Sequence, residues 1–285
     1  MPVHLTILNN IAGPDLEIQL KQHAACNLKH LDLKERIFGK SITQLSAEEA
    51  QRAQALVAAY GMRVQCFSTT LFADSVDQGP ESFRAKHLEP LDRTLAAARI
   101  LKPAFIRLID AKVPSKPAEL DGLGYVRARH PWLLELYREA IQRISDAGFT
   151  TTIENEPGGF FDAADTIAHT FETLGLGARV CYTWDVQNLW ESGVAPSLAV
   201  LERVKPWLRY YHVKGGRIEG GRMIATTLAD AAWPVVEITQ RVVDEGLSPV
   251  ICLNPPHGVK DPRFPLENLA QRDLAFLREH VKGIV

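Results

Sequence analysis

The sequence has little of what membrane-bound, secreted or nucleic-acid-binding proteins require. Its 32 basic and 34 acidic side chains nearly cancel, to a formal net charge of −2, which excludes a strongly basic surface for nucleic acid or an anionic membrane. No apolar run approaches the roughly 18 residues of a membrane span, and the first ten residues lack the basic start and apolar middle of a signal peptide. We therefore predict a cytoplasmic protein that binds neither nucleic acid nor membrane.

The cysteines are too few and too widely spaced for a disulfide framework or a zinc cluster. Cys26, Cys66, Cys181 and Cys252 form no C-x-x-C pair, and the last three lie in apolar, strand-like runs. Cysteine in such a run packs as a small apolar side chain. We expect four reduced thiols with no role in catalysis or metal binding.

A glycine-rich dinucleotide motif, G-x-G-x-x-G, is also missing after the first strand-like run, which disfavours a nucleotide-binding doubly wound sheet. The chain contains instead an alternation of short β-rich runs with longer amphipathic runs, typical of βα units around a parallel sheet. Eight strands are predicted, over residues 3–8, 28–33, 63–68, 105–109, 150–154, 180–185, 208–212 and 249–253.

Eight helices are predicted between and after these strands, over residues 15–25, 47–60, 81–101, 131–147, 161–174, 196–204, 234–245 and 266–281. Ser46 and Glu49 have the spacing of a capping box, and glycines stand where several helices should end. The segments 112–124 and 215–221 are predicted loops. Eight units in 285 residues predict a (β/α)8 TIM barrel that forms a single domain over residues 1–285.

Polar side chains follow the last four predicted strands. Glu154, Asp185, His212 and Asn254 are separated by 31, 27 and 42 residues, each about one βα unit. Because the active site of such a barrel lies at the C-terminal ends of its strands, we expect these side chains to meet. Carboxylate, imidazole and amide donors suit one divalent metal ion, either Mn²⁺, Mg²⁺, Co²⁺ or Zn²⁺.

Over essentially its full length the chain resembles the xylose-isomerase-like TIM barrels, which include sugar phosphate isomerases and epimerases. The resemblance rests on Glu154 in I-E-N-E, Asp185 in W-D-V-Q-N, His212 in Y-H-V-K-G and the pair Trp233-Pro234. It implies a metal held by the matching Glu, Asp and His and by a Glu on the last strand. The two glutamates would serve as acid and base on opposite faces of the sugar.

The last strand departs from this pattern, because it ends in Asn254 of L-N-P-P-H-G. An amide can offer its oxygen to a metal but cannot accept and return a proton. We therefore expect a one-base mechanism in which the metal polarises a carbonyl and Glu154 takes the proton from the neighbouring carbon. His257 and Lys214 are the candidates for the second proton carrier.

The predicted function is a metal-dependent isomerase or epimerase acting on a small-molecule carbohydrate: a sugar, a keto-sugar or a related polyol. One alternative is a lyase or dehydratase acting on a keto-sugar or inosose, including the cleavage of C-glycosides. Another is a sugar-binding or partner subunit that has lost its metal. A DNA-repair nuclease of the endonuclease IV type is disfavoured, because the nine histidines are scattered singly and the net charge is −2.

Three more residues are predicted to contact the substrate: Asn188, which lies three residues after Asp185, Arg107 in the fourth strand, and Lys34 after the second. Ion pairing within the protein is the alternative for the two charged residues. An aromatic wall facing the sugar is a further expectation, with Phe67, Phe160, Trp184 and Trp190 as candidates, although Trp184 precedes Asp185 and is expected to pack in the core. The resemblance also implies a homo-oligomer.

Overall fold

Eleven strands are present in the computed structural model, which describes residues 2–285. They are β1 (His4–Ile7), β2 (His30–Leu33), β3 (Arg63–Phe67), β4 (Phe105–Ile109), β5 (Thr150–Glu154), β6 (Val180–Asp185), β7 (Leu208–Val213), β8 (Gly215–Glu219), β9 (Arg222–Thr226), β10 (Val250–Leu253) and β11 (Val259–Lys260). Eight of them form one parallel sheet in the order β1-β10-β7-β6-β5-β4-β3-β2. A bridge between Leu8 and Asp32 joins the two edge strands and closes the cylinder. The predicted (β/α)8 barrel is therefore confirmed.

Twelve α-helices are present in residues 2–285 and supply the outer layer. They are α1 (Asn9–Ala12), α2 (Leu16–Ala25), α3 (Ala47–Ala59), α4 (Pro80–His87), α5 (Leu91–Leu101), α6 (Gly122–Arg129), α7 (Trp132–Asp146), α8 (Ala164–Leu174), α9 (Val186–Glu191), α10 (Leu198–Val204), α11 (Val235–Asp244) and α12 (Leu269–His280). The capping box of Ser46 and Glu49 is formed at the start of α3. No helix among these residues combines the length and apolar character needed to cross a membrane.

Three of the predicted helix and loop segments are wrong, and two of them lie between β3 and β5. The helix expected over 81–101 is divided into α4 and α5, because Pro90 has no backbone N–H to donate and restrains the residue before it. The segment 112–124, expected as a loop, contains the start of α6. Asp121 caps this helix with a hydrogen bond from the backbone of Gly124 to its side chain.

The second predicted loop, 215–221, is a β-hairpin. Strands β8 and β9 pair in antiparallel register, and β11 adds to the outer edge of β9 to give a three-stranded sheet. Gly220 and Gly221 lie between β8 and β9 with φ values of 55° and 74°. Two consecutive glycines with positive φ match the turn that a two-residue hairpin requires, so the glycines indicate a tight turn here and not an open loop.

The apolar core lies mainly between the barrel and its helices. Outward side chains of the strands, such as Leu31, Ile153 and Trp184, are fully buried there. Inside the barrel, Cys66, Tyr210 and Cys252 belong to a separate apolar cluster. All four cysteines are free thiols, so the prediction of unpaired cysteines is confirmed. The inward side chains become polar toward the C-terminal ends of the strands.

His87, at the end of α4, is a buried histidine that the fold keeps neutral. Its Nδ1 accepts a hydrogen bond of 3.0 Å from the backbone N–H of Phe72, a residue with a φ of 71°. Burial lowers the pKa of His87 to about 4, although the carboxylate of Asp74 opposes this shift. The neutral imidazole therefore supports a left-handed backbone conformation in the loop that follows β3.

Acidification should destabilise the protein through His87. Between about pH 6.5 and 4 the unfolded chain binds a proton at this side chain that the folded chain excludes. The free energy of unfolding is thus expected to fall by up to about 1 kcal/mol per pH unit from this residue alone. In His87→Asn the side-chain amide oxygen replaces Nδ1 as the acceptor. The free energy of unfolding should then fall less on acidification, because the contribution of His87 is gone. Urea unfolding at pH 7.5, 5.5 and 4.5 measures the free energy of unfolding of each variant, and His169→Asn, at an exposed histidine, is the control. If the free energy of unfolding falls equally with pH in both variants, His87 is not the group responsible.

Candidate functional site

Four of the predicted residues meet at the C-terminal mouth of the barrel. Glu154 and Asp185 end β5 and β6, His212 lies in β7, and Asn254 follows β10. Asp185 and His212 are register partners, and His212 also pairs with Cys252, two residues before Asn254. Because alternate residues of a strand face the same side, these side chains share the barrel interior. None of the four is more than 7% exposed.

The imidazole of His212 lies at the centre of this group. Its Nδ1 is 3.1 Å from Glu154 Oε1, 3.9 Å from Asp185 Oδ2 and 2.9 Å from Asn254 Nδ2. One ligand atom from each of Glu154, Asp185 and His212 lies within 4.8 Å of the others. The structure thus brings together the four side chains that the sequence indicated as metal ligands.

The arrangement of these donors fits a divalent cation. Ligand atoms that share one ion at about 2.1 Å lie roughly 3 to 4 Å from one another, as the His212 distances to the two carboxylates do. Asp185 Oδ2 is buried and lies 2.7 Å from Lys214 Nζ; because a carboxylate oxygen has two lone pairs, this ion pair leaves one of them for a metal ion. The side-chain oxygen of Asn254 reaches the same place if its amide group rotates.

Two buried cations lie behind the carboxylates. The guanidinium of Arg107 forms an ion pair with Glu154 Oε2 and also donates to the carbonyl oxygen of Thr69, at 3.3 Å from Nε and 3.0 Å from Nη2. Lys214 Nζ is 2.7 Å from Asp185 Oδ2. Each cation is 3% exposed. Together they offset most of the negative charge that the barrel encloses.

The charges set the protonation of the central residues. Burial by itself would raise the pKa of Glu154, yet the charges of Arg107 and His212 hold it below its usual range. Burial would lower the pKa of His212, but Glu154 and Asp32 outweigh this effect and raise it to about 9. Glu154 is therefore ionised, in the form that binds a metal ion or accepts a proton.

Asp32 is a site residue that the sequence reasoning missed. Its Oδ2 accepts a hydrogen bond of 2.8 Å from the hydroxyl of Tyr210 and lies 3.6 Å from His212 Nε2. With His212 and Cys252 it forms a second group of nearby ligand atoms. The signal was the run L-D-L inside an apolar strand, since a carboxylate placed among buried leucines needs a partner.

Asp185 also begins α9, and this helix positions further side chains at the mouth. Its Oδ1 accepts hydrogen bonds from the backbone N–H groups of Gln187 and Asn188. The Asn188 side chain accepts a hydrogen bond of 2.9 Å from Lys214 Nζ. Gln187 exchanges two hydrogen bonds with the backbone of His257, at 2.9 and 2.7 Å. Gln187, unremarked in the sequence, thus holds the segment that carries His257.

Lys214 Nζ lies 3.5 Å from His257 Nε2, so both candidates for the second proton carrier are at the mouth. Burial, and then the charge of Lys214, lower the pKa of His257. Lys34 is half-buried, and no hydrogen bond or ion pair within residues 2–285 joins its side chain to the other site residues. The substrate contacts of Lys34, Arg107 and Asn188 stay predictions.

The expected aromatic wall is not formed. Phe67 and Phe160 are fully buried in the core between barrel and helices, because their strand and loop turn these rings toward the surrounding helices. Trp190, in the last turn of α9, is half-buried. It is the one member of the proposed wall that stays accessible near the mouth.

No protein-family model and no curated protein matches this sequence. Solved structures share its fold. D-psicose 3-epimerase in the presence of D-fructose superposes with a TM-score of 0.72 at 16% identity, covering 99% of both chains. The apo form of 3-keto-D-glucoside 4-epimerase, YcjR, from E. coli gives 0.70 at 11% identity, covering 97% of this chain and 99% of the other.

A xylose isomerase-like TIM barrel protein from Mycobacterium smegmatis in complex with magnesium gives a TM-score of 0.67 at 14% identity, covering 98% of this chain and 95% of the other. At these identities the likeness establishes the fold. The fold implied by the sequence resemblance, that of the xylose-isomerase-like barrels, is thereby confirmed.

Removing Arg107 should expose the energetic cost of the buried Glu154 carboxylate. We expect Arg107→Met to lower the free energy of unfolding of metal-free protein by about 3 kcal/mol, because an ion pair loses one buried partner. Adding Glu154→Gln should recover at least half of that loss. Urea unfolding after dialysis against EDTA measures both variants.

The control is Arg143→Met, which removes two surface ion pairs, one of 2.6 Å with Asp92 and one of 3.8 Å with Glu139; we expect a loss under about 1 kcal/mol. Losses of equal size at Arg107 and Arg143, with no recovery in the double variant, would contradict the proposed charge balance.

Proposed function

We propose that this chain is a divalent-metal-dependent enzyme that isomerises or epimerises a sugar or keto-sugar by moving a proton on the carbon next to a carbonyl. The convergence of Glu154, Asp185 and His212 in the barrel mouth carries this proposal. The fold supports it, since proteins named as D-psicose 3-epimerase and 3-keto-D-glucoside 4-epimerase have the same fold. The proposed partner is a small-molecule carbohydrate.

Glu154, Asp185 and His212 would hold the metal ion, and the amide oxygen of Asn254 would be the fourth protein ligand. When bound, the ion would polarise the sugar carbonyl and make the adjacent C–H bond more acidic. Asn254 brings one negative charge fewer than a glutamate would, and Lys214 places a positive charge 2.7 Å from Asp185. Both features favour weak, exchangeable metal binding.

Glu154 is the proposed base. Its carboxylate is ionised, and Arg107 fixes its orientation through the ion pair. Lys214 or His257 is the proposed group that returns the proton, because both stand at the same mouth and an asparagine on the last strand cannot carry one. The ammonium of Lys214 can donate a proton directly. A neutral His257 would first take a proton from Lys214 and then donate it. Asn188, held by Lys214, is proposed to bind a substrate hydroxyl.

A second candidate function is a β-elimination from a keto-sugar, as a lyase or dehydratase would catalyse. Asn254 is the observation that favours it, since elimination needs one base beside the carbonyl and a proton donor for the leaving group. Epimerisation through two opposed carboxylates is disfavoured by the same residue. Glu154 would take the proton in either reaction, so only the product separates them.

Metal analysis tests the proposed ligand set. We expect about one divalent ion per chain after dialysis against Mn²⁺, Co²⁺, Mg²⁺ or Zn²⁺, and a loss in Glu154→Gln and in Asp185→Asn. Asp32→Asn should retain metal, because Asp32 belongs to the other group of ligand atoms around His212. Asn254→Glu should tighten binding by about tenfold or more through its added carboxylate. Elemental analysis and titration calorimetry measure these changes.

The matched control for the metal measurement is Glu135→Gln on the exposed face of α7, which should bind like the unmodified protein. Circular dichroism confirms that each variant is folded. Metal retained in both Glu154→Gln and Asp185→Asn would overturn the proposed centre, as would the absence of metal under every condition.

Proton transfer is tested by incubating the metal-loaded protein with D-fructose and with 3-keto-D-glucosides in D₂O. We expect deuterium to enter the carbon next to the carbonyl, at a rate that falls by about 100-fold or more in Glu154→Gln. Lys214→Ala and His257→Ala should each be tested for slower formation of product. NMR of the products distinguishes an epimer from an unsaturated elimination product, and Glu135→Gln is the control.

Exchange that continues in Glu154→Gln would remove this residue from the role of base. Unaltered turnover in either Lys214→Ala or His257→Ala would remove that residue from the role of second proton carrier.

A further inference from the structure

Asn155 directly follows β5 and is buried behind the candidate metal ligands. Its neighbour Glu154 points into the barrel, where it contacts His212. Because successive residues of a strand face opposite sides, the Asn155 side chain is directed outward, where it meets Tyr182 of the core between barrel and helices. No hydrogen bond within residues 2–285 joins this side chain to a candidate ligand atom.

The amide of Asn155 forms two hydrogen bonds with the backbone of Asp185. Its Nδ2 donates to the carbonyl oxygen of Asp185 at 2.9 Å, and its Oδ1 accepts from the N–H of Asp185 at 3.0 Å. Oδ1 also accepts from the Tyr182 hydroxyl at 2.7 Å, so both of its lone pairs are used. These two donors fix the amide in the orientation that places its oxygen beside the N–H of Asp185.

The two hydrogen bonds continue the pairing of β5 with β6 beyond the point where the two backbones part. The registered pairs end at Glu154 and Thr183, whereas β6 runs on to Asp185. A side-chain amide has the same donor and acceptor as a peptide group, so Asn155 replaces the backbone that β5 no longer supplies. The buried N–H and C=O groups of Asp185 thereby keep their partners, and the end of β6 stays joined to β5.

The position of Asp185 matters because its side chain serves two elements. Oδ1 caps α9, and Oδ2 lies 2.7 Å from Lys214 Nζ and 3.9 Å from His212 Nδ1. The carbonyl oxygen of Asn155 also accepts a hydrogen bond of 3.0 Å from Asn188 Nδ2. One residue therefore holds both the end of β6 and the first turn of α9 against the end of β5.

We propose that Asn155 is a positioning residue of the candidate metal site, which sets where the Asp185 carboxylate stands relative to Glu154 and His212. This inference rests on the proposed function, because it assumes that these three side chains hold the ion. Without the amide, the end of β6 loses its connection to β5, and the short separations between the ligand atoms are lost with it. Removing a group that orients a metal ligand typically weakens metal binding by about 10- to 100-fold.

Asn155→Ala removes both hydrogen bonds to Asp185 and leaves every proposed ligand in place. Titration calorimetry of the folded, metal-free protein with Mn²⁺ should give a Kd about tenfold or more above that of the unmodified protein. At saturating Co²⁺ the visible absorption spectrum of the bound ion should also change, because it reports the number and arrangement of the ligands. Asn155→Ser, whose side chain is too short to reach both backbone groups, should behave in the same way and replaces Asn155→Ala if that variant does not fold.

Ser248→Ala is the matched control. Ser248 is buried before the start of β10, at the opposite end of the barrel, and its hydroxyl donates a hydrogen bond of 2.6 Å to the carbonyl oxygen of Val250. The variant should lower the free energy of unfolding yet keep the Mn²⁺ affinity and the Co²⁺ spectrum of the unmodified protein. A loss of stability alone therefore changes neither measurement.

A second measurement needs no metal ion. Amide hydrogen exchange followed by NMR should be faster at Asp185 in Asn155→Ala by about fivefold or more, because this N–H loses its acceptor. The N–H of Tyr182 donates to the carbonyl oxygen of Trp207 at 2.8 Å and is the reference in the same strand. Its exchange rate should change by less than about twofold, which separates a local effect from a general loss of stability.

Unchanged Mn²⁺ affinity with an unchanged Co²⁺ spectrum in Asn155→Ala would overturn the positioning role and leave the proposed metal centre intact. Equal weakening of metal binding in Asn155→Ala and Ser248→Ala would do the same. An exchange rate at Asp185 that does not respond to Asn155→Ala also contradicts the inference, because its N–H would then have another acceptor. If the unmodified protein binds no metal under any condition, the proposed function fails and the positioning role fails with it.

Discussion

The candidate site depends on the pairing of buried charges at the barrel mouth. Glu154 and Asp185 are at most 1% exposed, and a carboxylate buried without a partner costs several kcal/mol. Arg107 supplies one partner from within the neighbouring strand β4, and Lys214 supplies the other from the end of β7. The same ion pairs restrict the side-chain rotamers, so the ligand atoms around His212 keep their short separations. Charge compensation and geometry are thus two results of one arrangement.

This balance of charge also shapes the chemistry that the mouth can support. Two cations close to the carboxylates, together with an amide at position 254, leave less negative charge for a metal ion than a four-carboxylate or three-carboxylate set would. The amide further restricts proton transfer, because Glu154 has no opposed glutamate on the last strand. In the proposed reaction, proton return would fall to a nitrogen group, either Lys214 or His257, whose Nζ and Nε2 atoms lie 3.5 Å apart. The site is asymmetric as a consequence.

Two backbone segments each contribute to the candidate site at two depths. Strand β7 supplies His212 inside the barrel, and Lys214 follows it at the mouth before the chain continues into the β8–β9 hairpin. On the other side, Asp185 ends β6 and begins α9, whose Asn188 side chain lies 2.9 Å from Lys214 Nζ. The candidate metal ligands and the candidate substrate-binding groups are therefore held by the same two segments.

Sequence alone determined the barrel and the four strand-end positions that meet at its mouth, because an inward residue at each strand end recurs once per βα unit. It did not determine the ion pair between Arg107 and Glu154, which depends on the register and rotamers of the neighbouring strands β4 and β5. Nor did it determine the contact between Asp32 and His212, which joins strands β2 and β7, far apart in sequence. The sequence did not predict the hairpin that begins at Gly215, because its second strand, β9, lies after the predicted loop 215–221. Tertiary structure alone decided which charges are paired, since this pairing follows from the packing of segments that no local pattern relates.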